Sequence, residues 1–331
     1  MWRWAAAGAH RAVHRPVAAA NEGVPIPALK LRPLRELVLR AGSAPGRPSF
    51  LSAASGLVCT GDELCVVADD ELHLGRFPVA STLPGKLLRL MPGSLPAAPA
   101  LRKRRKADLE VLLRLPVSVE WPRGALLALG SGSRPRRGRG AWIALGSNGR
   151  VTGRAHPVDA SALYARLASE VGELNIEGGW VSGESLFLLQ RGNRGNAPNA
   201  LIRFALQPML SGIRHGQLAP LPPRMLKFMS LGDIDGVPLG FTDGTALPDG
   251  RWLFAAVAED TASAYLDGRC AGAVIGLADA RHRIQWVRQV EPSLKIEGIA
   301  TSGAGNNRRL LLVSDADDPA VPAQLLTATL R

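Results

Sequence analysis

One short phrase recurs five times along the chain, a small or acidic residue followed in most copies by glycine and then by an apolar stretch. It reads Ala54-Ser55-Gly56-Leu57, Leu109-Glu110-Val111-Leu112, Ile176-Glu177-Gly178-Gly179, Thr242-Asp243-Gly244-Thr245 and Ile296-Glu297-Gly298-Ile299. Self-similarity at a spacing of this order is the mark of a repeat architecture, and it constrains the fold more than any local motif does. Each phrase opens a unit of short apolar runs bounded by Gly, Pro, Asn and Asp. The second runs are Glu63–Ala68, Ala125–Leu129, Ser185–Gln190, Arg251–Val257 and Arg309–Val313. The third are His73–Phe77, Ala141–Leu145, Ala200–Phe204, Ala273–Leu277 and Gln324–Leu330, and four units offer a fourth run such as Lys86–Leu90 or Ile284–Arg288. Such runs read as strands. Four strands per unit, repeated radially, predict an all-β fold, a β-propeller.

The last unit lacks a fourth strand, whereas Leu31–Leu39 is a strand without a unit. Pairing the two closes the ring and removes an exposed sheet edge. Five blades closed by the N-terminal strand are therefore expected. A six-bladed ring using the longer stretches around 85–105 and 205–240 is the alternative, and an open pair of β-sandwiches is a third arrangement. Helical periodicity is confined to Ser161–Val171, in a connection between units. No apolar run approaches the roughly 18 residues that a membrane helix needs. Residues 1–28, rich in Arg and Ala with no acid before Glu22, read as a flexible tail, and 29–331 as one propeller domain.

The net charge of +12 is local. Half of it comes from the first 50 residues and five charges from Arg102-Lys103-Arg104-Arg105-Lys106, so the rest of the chain is close to neutral. Without interleaved aromatics the basic run reads as a solvated loop, and no nucleic-acid partner is expected. The three cysteines, Cys59, Cys65 and Cys270, lack metal-ligand spacing. They point to a reducing, cytoplasmic setting without disulfides.

In a propeller the first strand of each blade lines the channel, so a residue repeated in that strand repeats around the axis. Ser55, Glu110, Glu177, Asp243 and Glu297 are thus expected to form a ring. Carboxylates gathered in this way repel one another unless a cation neutralises them. Oxygen donors without Cys or His suit calcium. The loops after the second strands share this mouth. Two of them are rich in arginine, with Arg134, Arg136 and Arg137 in one and Arg191, Asn193 and Arg194 in the other. They suit a small anionic, phosphorylated substrate. Others carry acids, among which Asp69 and Asp315 are candidate bases for hydrolysis.

The phrases Ala54-Ser55-Gly56-Leu57, Ile176-Glu177-Gly178 and Ile296-Glu297-Gly298-Ile299 resemble the calcium-activated nucleotidases (apyrases), and also esterase-like and phytase-like propellers of bacteria, many uncharacterised. The resemblance implies a five-bladed ring with an axial calcium ion on Ser55, Glu110, Glu177 and Glu297. Asp243 and Val111 depart from its pattern, and the nucleotidase loops for base and ribose have no counterpart here. Two functions are therefore expected: a calcium-dependent hydrolase of phosphoesters or other anionic esters, or a non-catalytic propeller that binds a ligand or protein partner, with calcium as an axial strut. The chain is expected to act as a monomer.

Overall fold

The computed structural model describes residues 27–43, 48–193, 198–260, 268–303 and 309–330. Their strands form five antiparallel sheets arranged as the blades of a propeller. From the axis outward, blade 1 comprises Ala54–Thr60, Glu63–Ala68, His73–Pro78 and Lys86–Arg89. Blade 2 comprises Leu109–Leu115, Ala125–Gly130, Arg139–Ala144 and His156–Asp159. Blade 3 holds Ile176–Ser182, Ser185–Gln190, Ala200–Ala205 and Met225–Phe228. Blade 4 holds Val237–Ala246, Trp252–Asp260, Arg269–Ala278 and Ile284–Glu291. Blade 5 holds Lys295–Ser302, Arg309–Asp315 and Gln324–Ala328, and takes its outer strand, Arg32–Glu36, from the N-terminal segment.

Closure follows the expected pairing, with Arg32 opposite Thr327 and Glu36 opposite Gln324. Pro33 has no N–H to give and is tolerated because this strand has no outer neighbour in its sheet. Just before it, Leu29–Lys30 adds in parallel to the outer strand of blade 4. One segment thus ties two blades. Removing residues 1–36 withdraws the buried Leu29 and Leu31, a loss of about 3–6 kcal/mol at about 1.5–3 kcal/mol per side chain. A lower melting temperature and concentration-dependent association through the bared edge are expected, read by thermal melts and light scattering.

The apolar core is divided into five clusters, each wedged between adjacent blades. Between blades 3 and 4, Trp180 stacks on Trp252 at 4.9 Å. The helix Ser161–Val171 forms where its periodicity predicts, burying Leu163, Tyr164, Leu167 and Val171 between blades 2 and 3. A second helix, Leu206–His215, buries Leu206, Met209, Leu210 and Ile213 in the same cluster and stops at Gly216, whose φ of 75° suits glycine. Its i, i+3, i+4, i+7 pattern was legible. With the short helix Pro99–Arg105, it occupies the stretches that the six-bladed alternative needed. None of the helices among the described residues is long and apolar enough to cross a membrane.

Candidate functional site at the channel mouth

All five inner strands start at one mouth of the channel, and each carries a β-bulge there. The register skips Ser55, Glu110, Glu177, Thr242 and Glu297. A bulge turns its extra residue out of the ladder and re-aims the side chain. Four of the expected ring residues therefore occupy equivalent positions. The fourth blade differs, because Thr242 holds the bulge and Asp243 follows it. The Thr242 hydroxyl donates to the Ile296 carbonyl at 2.7 Å. The Asp243 carboxylate accepts from the N–H of Gly244 at 2.7 Å and of Ile299, in blade 5, at 2.9 Å. Asp243 is thus a strap between blades rather than the fourth ring position. Aligning by glycine displaces the repeat by one residue, since Gly244 matches Gly179 and not Gly178.

The glycines after the ring residues answer to close packing. A Cβ on Gly178 would come within 2.7 Å of Asp243, and one on Gly298 within 2.9 Å of the Ser55 carbonyl.

Two further layers repeat with the ring. Two residues before each bulge stand Ala53, Asp108, Asn175, Gly240 and Lys295. In four blades their neighbour at the end of the second strand is Asp69, Ser131, Arg191 or Asp315. Asp69, Ser131 and Arg191 each donate an N–H to the carbonyl of Ala53, Asp108 or Asn175, and Asp315 pairs in register with Lys295. Because the side chains differ from blade to blade, composition hides this repeat. Asp108, Asn175 and Lys295 were missed in consequence.

These layers form an ion network. Lys106 Nζ lies 2.9 Å from Asp108 Oδ1 and also bonds Asp69 Oδ2. Asp108 Oδ2 accepts from Arg137 at 2.8 Å, from Ser133 at 3.3 Å and from the Ser131 hydroxyl. Glu177 accepts from Asn175 at 2.5 Å and Arg191 at 3.4 Å, and Arg191 continues to Glu259 at 2.5 Å. Lys295 reaches Glu297 at 3.2 Å and Asp317 at 2.7 Å, with Glu259 and Asp315 each at 4.0 Å. Glu110 alone of the ring acids has no hydrogen bond or salt bridge among the described residues.

The substrate arginines of the sequence reading are therefore differently employed. Arg137 and Arg191 are internal counter-ions, drawn in because buried carboxylates demand them. Arg134 and Arg136 stay exposed, Asn193 donates to Glu173 at 2.6 Å, and Arg194 lies outside the described residues. The basic run is likewise not wholly solvated. It forms the helix Pro99–Arg105, whose Arg102 is buried and bonds the Asp70 carbonyl at 2.7 Å.

Burial raises the carboxyl pKa values. Glu177 is pushed up to about 8 by burial, with Arg191 opposing and Glu297 adding to the rise. Glu110, Asp243 and Asp315 stand well above their usual range, burial again first, and Glu297 is raised as well. Although burial pushes Asp108 upward, Lys106 and Arg137 pull it below the ordinary range. A carboxyl whose folded pKa is raised, as that of Glu177 is to about 8, holds a proton that the unfolded chain has already released. Stability must then fall as pH rises from the unfolded value through about 8, by about 1.4 kcal/mol per pH unit for each such proton. Thermal melts in chelator from pH 5 to pH 8 are expected to show this decline. A flat profile would mean that the acids are ionised and compensated throughout.

Between the mouth loops of blades 1 and 5 lies a cavity of about 430 Å³. Asp69, Lys106, Lys295 and Asp315 line it, so both acids read as candidate bases share one space. The volume falls within the usual range of small-ligand sites. Below the ring, Leu57, Leu112, Gly179, Gly244 and Ile299 line a second cavity of about 210 Å³. Cys59, on the same wall, has its thiol pushed up to about 11 by burial.

Fold and mouth together define a five-bladed β-propeller with an acidic, partly ion-paired channel entrance. The chain belongs to a family of unknown function, DUF6929, whose model matches residues 50–330. Among curated proteins none matches it. Solved structures resemble it at low identity. An alpha-L-arabinofuranosidase from Podospora anserina in complex with cellotriose is 12% identical, with a TM-score of 0.51 over 92% of this chain and 97% of that one. A luciferin-regenerating enzyme is 9% identical, with a TM-score of 0.44 over 85% and 92%. A glycoside hydrolase assignment from Parabacteroides distasonis is 10% identical, with a TM-score of 0.44 over 86% and 89%. The likeness to calcium-activated nucleotidases rests on the sequence phrases alone.

Proposed function

We propose that this propeller is a calcium-assisted hydrolase of small anionic esters, phosphoesters foremost, working in the cavity between blades 1 and 5. One observation carries the reading. Two acids, Asp69 and Asp315, line a ligand-sized cavity together with the ammonium groups of Lys106 and Lys295. The lysines, rather than the arginines singled out in the sequence, supply positive charge to an anionic substrate. Asp315, held well above the usual carboxylate range by burial and by the like charges of Asp69 and Asp317 against the pull of Lys295, takes the proton of the general acid. It donates that proton to the leaving oxygen. Asp69 accepts one from the attacking water, whose oxygen bonds the phosphorus or acyl carbon as the ester bond breaks.

The oxygen donors of the mouth suit a hard cation: Ser55, Glu110, Glu177 and Glu297 of the ring, with Asp243 beside it. Glu110 is the ring acid least committed to other partners. A bound calcium would polarise the phosphoryl or carbonyl oxygen as a Lewis acid. A second reading, a non-catalytic propeller that binds a ligand or protein partner, is favoured by the links of Arg191 and Lys295 to acids of neighbouring blades, which make the same network a strut.

The deciding experiment is an ester panel on the full chain, with p-nitrophenyl phosphate, bis-p-nitrophenyl phosphate and p-nitrophenyl acetate, in calcium and in chelator. Turnover that needs calcium and is inhibited competitively by inorganic phosphate is expected. No turnover of any ester in either condition would leave the binding reading.

A further inference from the structure

We propose that Asp69, Asp108 and Glu110 form an off-axis site for a hard divalent cation, calcium by preference, in which the ammonium group of Lys106 is the built-in competitor for the same oxygens. One carboxylate oxygen from each of the three acids can be chosen so that all lie within 4.8 Å of one another. The backbone fixes this meeting. Asp69 follows the second strand of blade 1, and Asp108 and Glu110 enter the inner strand of blade 2. The Asp108 N–H donates to the Asp69 carbonyl at 3.0 Å, locking the two loops together.

Glu110 gives the independent reason to expect a ligand. Its residue is only 9% exposed, and its carboxyl has no hydrogen bond or salt bridge among the described residues. Its charged surroundings are mostly carboxylates, Glu177, Asp108 and Asp69, with Lys106 the opposing cation. Leaving a buried acid without a donor is costly, so such a group takes up either a proton or a cation.

The remaining contacts fit that role. Arg137, Ser131 and Ser133 hold Asp108 by Oδ2, leaving Oδ1 to Lys106. Such outer contacts orient ligating carboxylates. Lys106 brings one positive charge to three acids. A divalent ion brings two and asks only for oxygen, which is all the cluster offers. The axial acids are poorer hosts, since Glu177 and Glu297 already accept from Asn175, Arg191 and Lys295. The cation site stands without hydrolysis, and only its use as a Lewis acid rests on the hydrolase reading.

Isothermal titration of the full chain with calcium chloride tests it, supported by thermal melts. Glu110→Gln should weaken calcium by more than about tenfold, because affinity follows ligand charge. Lys106→Met should strengthen it by about tenfold, since the internal competitor is gone. Asp249→Asn, an exposed change in the turn that follows the inner strand of blade 4, should leave it within about twofold. A Lys106→Met protein that folds only with calcium present would support the site equally. If that variant does not fold in either condition, Asp69→Asn, which should weaken calcium as Glu110→Gln does, takes its place. The proposal is overturned if wild type takes up no calcium, or if Glu297→Gln abolishes binding while Glu110→Gln retains it. Calcium-dependent turnover that survives Glu110→Gln would reject this site and keep the hydrolase. Calcium binding of the expected pattern without turnover would do the reverse.

Discussion

Asp315→Asn is expected to lower kcat on the best ester substrate by about 10²–10⁴-fold, the range for removing a general acid or base, with KM little changed. The substitution keeps the shape of a side chain whose Oδ1 accepts the Asp317 N–H at 2.8 Å. What it removes is the proton. The pH profile separates this role from a structural one. Asp315 donates only while protonated, and burial holds its pKa well above the usual range. Wild-type activity should therefore fall as pH rises through that value, and the alkaline limb should vanish in the variant. A melting temperature close to wild type, measured alongside, excludes unfolding as the cause. An unchanged kcat would remove Asp315 from the chemistry.

Arg191→Met is expected to cost about 3–5 kcal/mol of folding stability, the usual penalty for leaving a buried ion pair without one partner. The guanidinium joins Glu177 of blade 3 to Glu259 of blade 4, and its side chain is only 13% exposed. Glu177 can relieve part of the loss by taking up a proton, its pKa standing at about 8 even with Arg191 present. The penalty should thus be smaller at pH 5 than at pH 8.5, as denaturant titrations at the two values would read. Arg191→Lys should rescue incompletely, because an ammonium group lacks the planar fork that spans two carboxylates. The double variant with Glu177→Gln should recover part of the loss and isolate the coupling. Equal destabilisation at both pH values would place the cost in packing instead.

The blades were legible because a propeller repeats its local chemistry. Strand periodicity, glycine turns and an orphan N-terminal strand are short-range signals, and they carried the fold and the placing of Ser55, Glu110, Glu177 and Glu297 at equivalent points. Asp243 was misaligned by one residue because Asp-Gly imitates Glu-Gly, whereas the bulge follows hydrogen-bond register and selects Thr242. The helix Leu206–His215 was overlooked inside a stretch held open for a sixth blade, although its apolar spacing was in plain view.

The sequence by itself determined that oxygen-bearing side chains return to one end of a β-ring, since each inner strand writes its own residue there. Which charge meets which was decided only in three dimensions. Lys106 opposes Asp69, 37 residues away, and Arg191 opposes Glu259, 68 residues away. Lys295 stands among Glu297, Glu259 and Asp315. Such pairings depend on how neighbouring blades twist and pack, a property that no single stretch of chain encodes. Burial then sets their strength, because away from water an arginine near a carboxylate becomes its counter-ion before it can serve a substrate. That is why Arg137 and Arg191, read as substrate ligands, became struts, and why a lysine within a run read as a loop stands at the centre of the site.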